Sequence, residues 1–164
     1  MAWTDATIST ERLTLRPFAE FDKPAIVELR TNADIHRYLG GPAGPEFAEQ
    51  IRDATVGEQP GVFCVAESET DRAIGSLHFD RGRGVLEVSY ELMPTHWGRG
   101  LAQEAVGAAL AWAAAEYDDE EVIAVTQTAN TPSVVLLGRL GFELVGTFEE
   151  FGAEQGRFLR RLSD

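Results

Sequence analysis

The sequence predicts an α/β protein: one domain over residues 1–164, with a mixed, mostly antiparallel sheet flanked by helices in the order β-α-α-β-β-β-α-β-α-β-β. Three observations carry this prediction. Short stretches of two-residue alternation recur along the chain and read as strands. Three of them, within Val62–Leu92, are separated only by polar or glycine turns, which makes an antiparallel meander. A long run of helix formers, Leu101 to Tyr117, then joins the last of these strands to an apolar run, a crossover that sets the two strands parallel. At 164 residues the chain has the length of one domain, and such a domain buries roughly 70% of the surface its unfolded chain exposes.

The elements follow in order. In ATISTERLTLRPF, Leu13 and Leu15 alternate with Arg12, Thr14 and Arg16, so this segment reads as one strand stopped by Pro17. Asp22 is the expected cap of a helix through Arg30, with Lys23 and Pro24 in its first turn. Tyr38 to Pro45 is turn chemistry, and Phe47 to Val56 reads as a second helix. VFCVAES, AIGSLHFD and Val85 to Leu92 are the three meander strands. After the long helix, VIAVT reads as a buried strand. Thr131 as cap, Pro132 in the first turn and Gly141 past the end mark TPSVVLLGRLG as a short helix. Phe142 to Phe148 and Arg157 to Leu162 are the last strands, with a loop over Phe148 to Gly156 between them.

Composition narrows the partners. Asp and Glu number 27 against 14 Lys and Arg, a formal charge of -13 that repels nucleic-acid backbone and anionic lipid. Neither nucleic acid nor a membrane is expected as a partner. A basic or amine-bearing substrate is drawn toward such a field, although acidity also serves solubility. The only cysteine, Cys64, has no partner for a disulfide or a metal site, which fits a reducing cytoplasm; in its strand it reads as a small packing residue. His36, His78 and His96 lack metal spacing, so no metal is expected and each reads as surface or structural. Trp97 and Trp112 are expected in packing, and Trp3 sits in a terminus expected to be loose.

The segment EVSYELMPTHWGRGLAQE, Glu87 to Glu104, carries the strongest functional signal. An alternating strand enters a turn in which Gly98 and Gly100 bracket Arg99, and that turn opens a helix. The free N–H groups of a helix's first turn make an anion site, and glycine lets a ligand approach the backbone. The spacing fits neither the dinucleotide fingerprint nor the nucleoside-triphosphate loop, which leaves another phosphorylated cofactor.

Together with the run NTPSVVLLGRLGF, Asn130 to Phe142, the WGRGLA turn resembles the signature motifs of the GCN5-related N-acetyltransferases (GNAT). TERLTLRPF and TNADIHRYLGG are similar to the branch that acetylates the N-termini of ribosomal proteins. The resemblance implies that acetyl-coenzyme A is the acyl donor, with its pyrophosphate on Gly98, Arg99, Gly100, Leu101 and Ala102. It further implies that the strand Leu86 to Met93 splays from Val122 to Thr126, that backbone near Leu92 and Met93 pairs with the pantetheine arm, and that Asn130 contacts that arm. Trp97 stands where the family pattern has Gln or Arg. Leu159 stands where the branch usually has an acidic residue, which leaves the inherited acceptor site open.

Acyl transfer to an amine needs a neutral nitrogen, polarisation of the carbonyl and a proton for the departing sulfur. Ser133 occupies the position from which the resembling enzymes are thought to protonate the thiolate, at the start of a helix; a capping role is its structural alternative. Glu87 is the leading candidate base, acting through a water. It shares a strand face with Ser89 and Glu91, so Glu91 competes with it, and the three polar positions also read simply as the face turned from the core. Glu149 and Glu150 are further carboxylates for the amine, whereas Glu104 reads as structural, in a helix's first turn. The expected reaction is acetylation of a primary amine, a protein or peptide N-terminus first, with amino acids, polyamines and aminoglycosides as alternatives. A non-catalytic acyl-coenzyme A sensor is the contrasting reading, and a partner for a sheet edge a third. Dimers are common among enzymes of this kind, and the sequence leaves the oligomeric state open.

Overall fold

In the computed structural model, which describes residues 3–163, one sheet holds the strands β1 (Ile8–Ser9), β2 (Leu13–Arg16), β3 (Val62–Glu67), β4 (Ala73–Asp80), β5 (Glu87–Leu92), β6 (Glu121–Gln127), β7 (Glu143–Glu150) and β8 (Ala153–Arg161). The helices are α1 (Lys23–Thr31), α2 (Glu46–Asp53), α3 (Leu101–Glu116) and α4 (Thr131–Arg139). The strands lie in the order β1-β2-β3-β4-β5-β6-β8-β7. The meander is antiparallel, and the crossover through α3 makes β6 parallel to β5, both as the sequence predicts.

Local departures have identifiable causes. The first expected strand is a hairpin of two: the Thr10 N–H donates to the Leu13 carbonyl at 2.9 Å, folding Ile8 back opposite Leu15, so the sheet has eight strands rather than seven. Asp22 precedes α1 but does not cap it. Its carboxylate accepts both Arg16 nitrogens, at 2.7 and 3.1 Å, and the Ala19 N–H at 2.7 Å, because a bidentate charged pair outcompetes a single capping bond. The second helix stops at Asp53, three residues early, where Ala54 turns extended. The chain there passes Phe18 so closely that a Cβ on Gly57 would lie 2.1 Å from the Phe18 carbonyl oxygen. The residue preceding α4 is Asn130 rather than Thr131, which is already helical. The expected loop over Phe148 to Gly156 is mostly strand: β7 and β8 run to a two-residue turn at Phe151 and Gly152, both with positive φ, the conformation that matches strand twist.

The core lies between the sheet and α3. Leu101, Ala105, Val106, Ala109, Leu110 and Ala113 form a buried stripe at helical spacing, packed with Leu13, Phe63, Leu77, Phe79 and Val88. A fully buried side chain such as Phe63 contributes about 1.5–3 kcal/mol. Trp112 joins this core, edge-on to Phe63 at 4.9 Å, and Trp3 docks there rather than lying loose, its ring 4.9 Å from Phe63. The opposite face is lined by small residues, Cys64, Ala66 and Ala73, under Phe18 and Ala25. Burial pushes the Cys64 thiol up to about 12, which suits packing and not nucleophilic chemistry. His36 is buried with its Nε2 2.7 Å from the Leu29 carbonyl oxygen, a structural histidine that helps hold the segment after α1.

Candidate active site

The strands β5 and β6 meet at one end only. Glu87 opposite Ile123 is their single registered pair, fixed by the Ile123 N–H donating to the Leu86 carbonyl at 2.9 Å. Beyond it no ladder pair joins them among the described residues. A parallel pair that parts in mid-sheet leaves backbone groups facing a gap, and such groups need partners from elsewhere. One is supplied locally: the Trp97 indole N–H donates to the Leu92 carbonyl at 2.9 Å. Trp97 is therefore half-exposed at the mouth of the gap and not a core residue, contrary to the packing role expected for it. The Met93 N–H is turned to β4, where it donates to the Ile74 carbonyl at 2.7 Å.

At the open end of β5 the chain makes the glycine turn. Gly98 and Gly100 both have φ of 75°, with Gly100 left-handed at the start of α3. Residues 97–100 are all exposed, and a Cβ on Gly98 would meet nothing within 4 Å. The first-turn N–H groups of the sixteen-residue α3 have no partner within their own helix, and the turn ahead of them is bare, so Gly98 to Ala102 fit an anionic group. The turn is held from behind. Arg12 Nη1 donates to the Arg99 carbonyl at 2.9 Å, while Glu104, in the first turn of α3, accepts Arg12 Nε at 2.8 Å, the Arg12 N–H at 2.9 Å and the Thr10 hydroxyl at 2.6 Å. Burial alone would raise the Glu104 carboxyl, but these bonds together hold it below its usual range. The structural role expected for Glu104 is present, with bonded partners beyond the helix dipole.

Across the gap, α4 begins after a short corner at residues 128–130 that follows β6, and presents Ser133 in its first turn. Ser133 Oγ lies 2.6 Å from the Tyr90 hydroxyl of β5, so a serine and a phenol join the two walls. By strand alternation Tyr90 shares a face with Val88 and Leu92, opposite Glu87, Ser89 and Glu91; the only sequence signal of a role for it is a tyrosine in an otherwise aliphatic register. Burial raises the Tyr90 phenol, and its bond to Ser133 offsets part of that shift. Asn130, at the corner before α4, donates through Nδ2 to Thr126 Oγ1 at 3.4 Å.

The carboxylates occupy the other face of the sheet. Glu87 is buried beside Arg83, whose Nε lies 3.2 Å from Oε1, and Arg83 also pairs with Glu150 at 3.1 Å. Burial pushes the Glu87 carboxyl up, and Arg83 only partly offsets this. Glu91 accepts the Ser76 hydroxyl at 3.2 Å, stands 3.6 Å from His36 Nε2 and lines a cavity of about 280 Å³ with Ile26, Phe47, Ile51, Val62 and His78. The polar face of β5 is thus not turned to open solvent but lies under α1, α2 and the β7–β8 tip. That tip reaches back across the sheet: Glu150 meets Arg83, and Phe151 lies so near Gly40 that a Cβ there would be 3.0 Å from its ring. Tyr90 is three residues from Glu87 along β5, about 10 Å, so the structure sets Glu87 away from the Ser133 contact, and Glu91 closer to it along the strand.

A parted β5–β6 pair, a glycine turn capping a long helix and a hydroxyl pair between the two walls fit a protein that takes an acyl group from a phosphorylated carrier. The chain belongs to the acetyltransferase (GNAT) family, whose domain matches residues 12–143, and it is an acetyl-coenzyme A-dependent N-acetyltransferase. It is 28% identical over 162 residues to the uncharacterized N-acetyltransferase p20 of Bacillus licheniformis, covering 93% of this chain and 91% of that one. Among solved structures, it is similar in fold to a GNAT-family acetyltransferase of Bacillus anthracis (TM-score 0.83, 23% identity, 97% and 100% of the two chains). The spermidine N-acetyltransferase of Vibrio cholerae in complex with CoA and spermine gives a TM-score of 0.77 at 22% identity, over 94% and 98% of the chains. The ribosomal-protein-S5-alanine acetyltransferase of Vibrio fischeri gives 0.74 at 17%, over 98% of each. Among the described residues no helix is long and apolar enough to cross a membrane.

Proposed function

We propose that this protein transfers the acetyl group of acetyl-coenzyme A to an α-amino group, with the N-terminus of a protein or peptide as the acceptor class. The observation that carries the reading is the gap between β5 and β6, bounded by the Gly98–Gly100 turn at its mouth and by Ser133 on its far wall. Acetyl-coenzyme A, when bound, supplies an activated acyl carbon. Gly98, Arg99, Gly100, Leu101 and Ala102 hold its pyrophosphate through backbone N–H groups, and Leu92, Met93 and Asn130 flank the arm. Ser133 holds a proton at Oγ for the departing sulfur. Glu87, ionised above its raised pKa, takes the acceptor's proton through a chain of waters, from the strand face it shares with Glu91, which lines the cavity assigned to the amine.

Chemistry favours an α-amine. With a pKa near 8, roughly a tenth of it is neutral at pH 7, against about one lysine in 10³, so a distant, water-mediated base suffices. The resemblance of TERLTLRPF and TNADIHRYLGG to the ribosomal-protein branch supports the same class. One observation favours a second reading: Glu91 and Glu58 outnumber the single arginine or lysine, Arg30, in a cavity of mixed polar and apolar lining, and on a chain of charge -13 they also suit a small polycation; one similar fold acetylates spermidine.

The test is thiol release from acetyl-coenzyme A followed by mass spectrometry over N-terminal peptides, polyamines, amino acids and aminoglycosides. Addition of one acetyl group to the peptides, lost in Ser133→Ala and Glu87→Gln, is the expected result. Acetylation of polyamines alone would replace the acceptor class. Tight binding of coenzyme A with no amine acetylated would withdraw both residue roles.

A further inference from the structure

Serine by itself is a poor acid for a thiolate, because its hydroxyl is far less acidic than a thiol, which titrates near 8.5. A phenol, near 10 in water, is a much stronger acid than a serine hydroxyl, although burial raises it here. Tyr90 and Ser133 face one another across the gap at 2.6 Å, a separation at the short end for two hydroxyls. They belong to different walls, β5 and the first turn of α4, and neither oxygen has another side-chain partner among the described residues. Tyr90 is half-buried in the α3 side of the sheet, so Ser133 is its route to the gap.

We propose that Tyr90 is the positioning residue that supplies the leaving-group proton, acting through Ser133. This rests on the assignment of Ser133 as the acid. As the amide C–N bond forms and the thioester C–S bond breaks, sulfur keeps the bonding electron pair and takes the proton of Ser133 Oγ. Ser133 Oγ takes the proton of Tyr90 Oη in the same event and so never carries a full charge. Tyr90 Oη regains a proton, by way of solvent, from the one given up by the acceptor nitrogen. Nothing is oxidised or reduced, and the net change is one proton moved from nitrogen to sulfur.

Tyr90→Phe keeps the ring and removes only the hydroxyl. In single-turnover acetyl transfer to the most active amine of the panel, Tyr90→Phe is expected to slow the chemical step about 10²-fold with little change in KM. The dependence of that rate on the deuterium fraction of the solvent is curved when two protons move together, and is expected to become linear in Tyr90→Phe. A second readout needs no turnover: the thiol of coenzyme A bound to the protein, followed by thiolate absorbance, is expected to titrate higher in Tyr90→Phe than in the parent, because the phenol backs the Ser133 donor. A Tyr90→Phe protein with the parent rate, a linear dependence in both, or an unshifted bound thiol would overturn the relay while leaving Ser133 as the acid. Full activity in Ser133→Ala, or no amine acetylated at all, would remove the acid assignment and the relay together.

Discussion

Removing Glu104 is expected to weaken the cofactor turn more than it weakens the fold. Three donors converge on this carboxylate, Thr10 Oγ1 at 2.6 Å, the Arg12 N–H at 2.9 Å and Arg12 Nε at 2.8 Å, and Arg12 in turn holds the Arg99 carbonyl. Bonds to a charged group are each worth about 1.5–3 kcal/mol when shielded. The Arg12 side chain is 46% exposed, so water replaces much of its share. The net loss for Glu104→Ala is about 1–3 kcal/mol, a fall in Tm of roughly 2–12 °C for a chain of this size. In the parent protein the turn is already fixed. In the variant it must be ordered on binding, and each 1.4 kcal/mol of that cost is about tenfold in Kd. Thermal denaturation and calorimetric titration with coenzyme A, run on both proteins, measure the two effects. The pH dependence adds a check. The Glu104 carboxyl is held below its ordinary value, so its contribution is full above the ordinary glutamate pKa and is lost as pH falls through the lower folded value. The Tm difference between parent and Glu104→Ala should therefore shrink in acid. An unchanged Kd alongside the lower Tm would show that Glu104 merely staples the β1–β2 turn and leaves the cofactor turn alone.

Three further outcomes follow from the same geometry. Glu87→Gln should match or exceed the parent's Tm at pH 7: burial raises the carboxyl's pKa, so stability linked to its proton is present below the ordinary glutamate value and lost as pH rises through the folded one. Its turnover should nonetheless fall about 10²-fold, and a lower Tm with intact turnover would make Glu87 a structural residue. Gly98→Ala places a side chain at φ 75° where nothing lies within 4 Å, so a strain of about 1–2 kcal/mol should leave the protein folded while coenzyme A affinity drops at least tenfold, as calorimetry would show. Equal affinity would mean that this glycine serves the turn alone. Cys64, fully buried with its thiol pushed up to about 12, should resist a water-soluble thiol reagent in the native state and react once denaturant is added; rapid native labelling would contradict the packing.

The fold was legible where one physical signal dominated. Strand alternation in the meander, the helix formers of α3 and the glycines at 98, 100 and 141 act locally, and the structure places these as read. What failed was competition between local and distant partners. Asp22 has the chemistry of a cap, but Arg16, six residues earlier, takes its carboxylate. Trp97 looks like packing because tryptophan usually is, whereas its N–H closes a carbonyl left bare by the parting of β5 and β6. The glycine turn proposed to hold the cofactor could be picked out because its residues are contiguous. Tyr90 could not, since its significance lies in a contact with Ser133 forty-three positions away. The tip of β7–β8 was invisible for the same reason: Phe151 meets Gly40, and no local pattern encodes that meeting.

The most direct test of the account uses one peptide that carries a free α-amine and an internal lysine. Incubated with the protein and acetyl-coenzyme A near neutral pH, its fragments are sequenced by mass spectrometry to locate the acetyl group. The account predicts acetylation of the α-amine, with the lysine untouched and the modification lost in Ser133→Ala. Acetyl on the lysine, or on both amines in Ser133→Ala, would contradict both the acceptor class and the proton path assigned to this site.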